Sequence, residues 1–227
     1  MKIPETIRVK RITLRGISEE IFAQVNLEKG LGYTIWQLIV APGSAIRAYL
    51  FEDRSRMMRP LSLVLLVTAI ATFISMRYLL NEAHLEAELQ KSNLPAPLIP
   101  VMALFLKLSR QYFNLMLLSG LPAISFGTYL IFRDRGLNYA EHLVINTYIF
   151  ATQTILYLPL LPFLNKIPEI GFFIYIISIG YTFYAIMRVF QIRFMEALWR
   201  LIVAYFIAQV IQMIFLGILI LIFWLIL

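Results

Sequence analysis

The dipeptide Glu141-His142 holds the residue types of acid–base chemistry. A carboxylate beside an imidazole can move a proton or help bind a metal ion, provided a nucleophile, substrate group or further ligand lies within reach. The sequence supplies no such companion. His84 and His142 are the two histidines and cysteine is absent, which excludes disulfides, thiolate nucleophiles, iron–sulfur clusters and cysteine zinc sites. No catalytic residue, metal site or cofactor is expected.

The residues after the pair carry more information. His142, Asn146, Gln153 and Tyr157 stand at i, i+4, i+11 and i+15, one face of a helix, and Tyr139 joins that face if the helix begins early. Gln153 then lies about 16 Å beyond His142 along the axis. Glu141, next to Arg133, Asp134 and Arg135, falls at the helix start, where the macrodipole favours a carboxylate. The stripe can serve as polar glue between helices or as a path for a proton, an ion or a lipid headgroup. No charge lies deeper than Glu141, which favours glue.

A second group is Arg47, Arg54, Arg56 and Arg59, four guanidinium forks within thirteen residues. Such forks suit phosphate, so anionic lipid headgroups are the expected contact, with a membrane-protein partner as a further possibility. Nucleic acid is not expected, because no reader motif accompanies the net charge of +7.

The elements that must position these groups are membrane helices. Hydrophobic residues make up 60 % of the 227 positions and the mean hydropathy is +0.78. The excess lies in five runs, at 60–80, 112–132, 142–164, 170–190 and 201–227, each close to the roughly 20 residues that span a bilayer. The expected fold is an all-α polytopic bundle of about five transmembrane helices. A basic region at 1–57 with short amphipathic interfacial helices precedes the bundle at 58–227, and an external loop occupies about 81–111. Ser18 with Glu19 and Glu20 reads as a helix start. The stretches "YTIWQLIVA" and "SAIRAYLF", parted by Pro42-Gly43, are too short to span and are expected to lie on the cytoplasmic leaflet. "QIRFMEALWR" at 191–200 is expected to join the last two spans, with Glu196 and Arg200 paired and Trp199 as an anchor.

Charge sets the orientation. With the N-terminus inside, fifteen of the twenty lysines and arginines fall on the cytoplasmic side and five outside. That asymmetry predicts N-in and C-out by the positive-inside rule. The first 33 residues hold no apolar leader core, so no cleaved signal peptide is expected.

Positions 10–66 resemble an uncharacterised family of bacterial membrane proteins, domain of unknown function 3667. The resemblance rests on Gly32, Tyr33, Pro42, Gly43, Ile46, Arg47, Tyr49, Leu50, Arg54, Arg56 and Pro60, and on "NYAEHLV" at 138–144. It implies a bacterial inner-membrane protein lacking the zinc ribbon that many members carry ahead of this block. It implies no activity. The expected function is a non-enzymatic scaffold or accessory subunit at the cytoplasmic face. The alternative is a small transporter or lipid-handling protein that uses the polar face of the third span.

Overall fold

The computed structural model describes residues 30–78, 95, 102, 118 and 120–226. The expected helix at Ser18, nearly all of the external loop and the first part of the second span lie outside them. Among the described residues the chain forms helices and no strands. They are α1 (Leu31–Val40), α2 (Pro42–Phe51), α3 (Pro60–Tyr78), α4 (Leu121–Ile131), α5 (Tyr139–Tyr157), α6 (Ile170–Phe190) and α7 (Phe194–Ile226).

Helix boundaries follow local chemistry. Pro42 sits at the start of α2, where its missing N–H leaves no intrahelical bond unmade. Pro60 opens α3 in the same way. Beyond Tyr157, Pro159 and Pro162 prevent a regular α-helix, and the chain tightens into 3₁₀ turns over Leu158–Phe163. Gln191 takes a left-handed φ of 54° and ends α6.

The four stretches Pro60–Tyr78, Tyr139–Phe163, Ile170–Phe190 and Phe194–Phe215 are long and apolar enough to cross a membrane. The protein is therefore a helical membrane bundle, as the composition implies. Of the second expected span, the 11 residues of α4 lie among the described residues. One boundary differs from the sequence expectation. The expected connection at 191–200 shrinks to Gln191–Arg193, because Phe194–Arg200 form the first turns of α7. Those charged residues tolerate a helix because they pair, as described below.

The two short helices exist where the sequence places them, but much of their surface faces protein. In α2, Ala45, Ile46, Tyr49, Leu50 and Phe51 are buried. Gly43 brings the α2 backbone onto Arg188 near the end of α6, and a Cβ there would lie 2.5 Å from the Arg188 carbonyl oxygen. The Tyr181 hydroxyl donates to the Leu38 carbonyl at 2.8 Å. On the α5 side, the Tyr49 ring meets Tyr148 edge-on at 5.2 Å, and the Tyr148 hydroxyl donates to the Met58 carbonyl at 2.7 Å. One core thus runs from Leu38 through Leu63 and Ile145 to Phe190, across the expected boundary at residue 57. Tyr33, Trp36 and Val40 on α1 remain exposed.

The α4–α7 seam uses small residues instead. A Cβ on Gly127 would collide with the Ala204 carbonyl, and Ala197, Ala204 and Ala208 are buried. Such residues let membrane helices approach closely.

These approaches generate a paired test. Gly43→Ala should lower thermal stability in detergent by about 1–3 kcal/mol, since backbone atoms have to move. Gly32→Ala, whose Cβ meets nothing within 4 Å, should be neutral or slightly stabilising. Equal melting temperatures for the two variants would contradict the close approach.

Candidate functional site

The start of α5 is a capping box. Asn138 is the N-cap and its side-chain oxygen accepts from the Glu141 backbone N–H at 2.9 Å, while Glu141 Oε2 accepts from the Asn138 N–H at 2.8 Å. Two of the helix's otherwise unpaired donors are satisfied reciprocally. Glu141 therefore stands beside His142 for a backbone reason.

His142 points elsewhere. Its Nδ1 lies 3.2 Å from Thr128 Oγ1 on α4, and Asn146 Nδ2 donates to the same oxygen at 2.9 Å. Thr128 gives its own proton to the Ser125 carbonyl at 3.1 Å. Its lone pairs are then left for two donors, which assigns the proton of a neutral His142 to Nδ1. The ring stacks on Phe190 of α6 at 5.5 Å and meets Tyr129 edge-on at 6.0 Å. His142 Nε2 is buried with no hydrogen-bond partner among the described residues.

The rest of the stripe follows the same seam. Gln153 Nε2 donates to the Ser178 carbonyl at 2.6 Å and to Thr182 Oγ1, both on α6. Tyr139 donates its hydroxyl to the Pro122 carbonyl of α4 at 3.2 Å, and Tyr157 is buried. Tyr139, His142, Asn146 and Gln153 thus lie against α4 and α6, while Tyr157 packs in a second cluster with Ala71 of α3. Glu141 and His142 are 1 % and 0 % exposed, and Asn146 is 6 % exposed.

The four arginines separate. Arg47 donates to the carbonyls of Arg188 and, at 3.3 Å, Val189, which lie in the last turn of α6. Burial holds its pKa below the ordinary guanidinium value, with Glu52 pulling the other way. Arg54 donates to the Tyr49 and Leu50 carbonyls at 3.2 and 3.4 Å, and its guanidinium lies 6.0 Å from the centre of the Tyr49 ring. Cations at helix C-termini are favoured there by the macrodipole. Arg56 is exposed with Asp53 at 3.5 Å, and Arg59 is exposed.

Sequence reasoning paired Glu196 with Arg200, as found, but missed the wider network at the same end of the bundle. Arg200 grips Asp134 with both nitrogens, at 2.6 and 3.0 Å, and touches Glu196 at 3.1 Å. Arg135 reaches Glu196 at 2.6 Å and Asp134 at 3.1 Å. Two clusters whose paired residues stand 61 and 66 positions apart are one four-member tie between the α4–α5 turn and α7. The Arg200 hydrogen bond holds the Asp134 carboxyl below the usual aspartate range, assisted by the charges of Arg200 and Arg135 and opposed by partial burial. Thr128 was missed as well, and nothing in a threonine's sequence context marks it as a hub. No group of three or more acidic or histidine side chains that could hold a metal occurs among the described residues.

The comparison with known families falls on the docked hairpin. Residues 28–72 match the family described as protein of unknown function, DUF3667. No curated protein and no solved structure matches the chain. Within the DUF3667 match, the residues behind the resemblance have visible tasks. Gly43 permits backbone contact with α6, Arg47 caps α6, Tyr49 and Leu50 fill the core, Arg54 caps α2, and Pro60 opens α3. The docking surfaces on α5 and α6 lie outside the matched segment.

Two predictions arise here. Arg47 is engaged at α6 and Arg56 and Arg59 are exposed, so Arg54 is the arginine that should pair with the buried Glu141. Glu141→Gln keeps an acceptor for the cap and removes the charge. Losses from Glu141→Gln and Arg54→Gln should each be roughly 1–3 kcal/mol in thermal unfolding and should not add in the double variant. Strict additivity would remove the pairing. The second concerns pH. A carboxylate with a lowered folded pKa stabilises fully above its unfolded value, about 3.9, and that contribution fades as pH falls through the folded value. The melting-temperature gap between the wild type and Asp134→Asn should therefore be constant from pH 7 to 5 and close in stronger acid. A gap that widens in acid would contradict the assignment.

Proposed function

We propose that this protein is a non-enzymatic membrane scaffold or accessory subunit that holds anionic lipid headgroups, or a membrane-protein partner, at its basic face. The observation that carries this reading is the contrast between the polar stripe and the arginine segment. His142, Asn146 and Gln153 bond to neighbouring helices in a packed seam, while Arg56 and Arg59 face outward. Polar groups already bonded to protein suit a structural role better than a transport path. The alternative, a small transporter or lipid-handling protein using the α5 face, draws on the buried and unpartnered His142 Nε2.

We place the chain in a bacterial inner membrane, with the N-terminus cytoplasmic and the C-terminus external. The fifteen-to-five charge asymmetry supports this orientation. So does the meeting of Arg47 with Arg188, and of Asp134 with Arg200, at one end of the bundle.

Native mass spectrometry of the protein extracted from its membrane tests the main reading. Co-purified anionic phospholipid is expected, and Arg56→Gln with Arg59→Gln should reduce it. Stoichiometric solute flux in proteoliposomes that His142→Ala abolishes would replace the scaffold with the transporter. For orientation, a cytoplasm-active reporter before Met1 and a periplasm-active one after Leu227 should both work. Activity of the reversed pair would invert the topology.

A further inference from the structure

The first turns of α7 carry a groove that the reading above does not use. Met195, Leu198, Trp199 and Ile202 stand at i, i+3, i+4 and i+7, one face of the helix. They are 69 %, 37 %, 51 % and 61 % exposed, and with Arg193 and Glu196 they line a groove of about 480 Å³. Arg193 stands at the mouth and forms no ion pair among the described residues. The acid in the wall is already neutralised, since Glu196 lies 2.6 Å from Arg135 and 3.1 Å from Arg200. The groove therefore combines an uncompensated cation at the start of the helix with an apolar track that includes an indole.

We propose that this groove seats one anionic glycerophospholipid. The phosphate pairs with Arg193, and the glycerol region and the start of an acyl chain run along Met195, Leu198, Trp199 and Ile202. An indole in such a groove suits the membrane interface, where tryptophan rings settle at headgroup depth. Charge complementarity selects an anionic headgroup, because neutralised Glu196 leaves Arg193 as the net charge of the rim. The site rests on the membrane-face reading but uses none of the Arg47–Arg59 residues.

The experiment titrates phosphatidylglycerol, and in parallel phosphatidylcholine, into delipidated full-length protein in a zwitterionic detergent. Native mass spectrometry counts bound lipid and melting curves check the fold. The wild type should prefer phosphatidylglycerol. Arg193→Gln should weaken that binding by about tenfold, the scale set by losing one charge-assisted bond, and Arg193→Lys should restore part of it. Trp199→Ala should weaken both lipids. Lipid-free melting should be unchanged in the Arg193 variants, which touch no internal pair. Equal phosphatidylglycerol binding by wild type and Arg193→Gln would overturn the site. If Arg56→Gln with Arg59→Gln then lost binding, the broader proposal would survive while the groove failed. Loss in the Arg193 variant alone would support the groove and count against the arginine segment.

Discussion

Backbone contact between α2 and the last turn of α6 organises this bundle. Gly43 allows the approach, and Arg47 satisfies carbonyls that the end of α6 would otherwise leave unpaired. Once α6 ends there, the left-handed Gln191 turns the chain within three residues into α7. The position of α7 in turn sets the seam against Gly127 of α4, and the α4–α5 turn is tied back to α7 through Asp134 and Arg200. A hairpin of two ten-residue helices thus helps fix where the later helices can lie.

The second organising feature is the shortage of solvent for polar groups. A membrane bundle must satisfy buried donors and acceptors internally. Thr128 does this for three partners, accepting from His142 and Asn146 and donating to the Ser125 carbonyl. Tyr181, Tyr148 and Tyr139 each place a hydroxyl on a backbone carbonyl of another segment. Tyrosine is well suited to this, since its ring fills apolar space while its tip bonds.

Much of the fold was legible because hydrophobic run length reports span length directly. Residues 170–190 became α6 with the expected limits, and 60–80 became α3 to within two residues. The stripe on α5 was readable from helical periodicity, although its partners on α4 and α6 were not. Asn138 and Glu141 carry a capping-box spacing that was visible in sequence but overshadowed by the neighbouring histidine. "QIRFMEALWR" reads as a connection, and the ties of Arg200 and Glu196 to Asp134 and Arg135 that accompany its helix are long-range facts. The burial of α2 depends on Gly43 meeting a residue 145 positions away, which no local pattern encodes.

That separation gives the protein a timetable. The bonds from Arg47 to Arg188 and from Tyr181 to Leu38 join residues 141 and 143 positions apart. At roughly 5–20 residues per second of synthesis, α1 and α2 exist for about 7–30 s before their docking site on α6 has been made. During that wait the faces of the hairpin that meet α6 have no partner within the chain. The packing of the hairpin against α6 is therefore completed only after most of the bundle has been made.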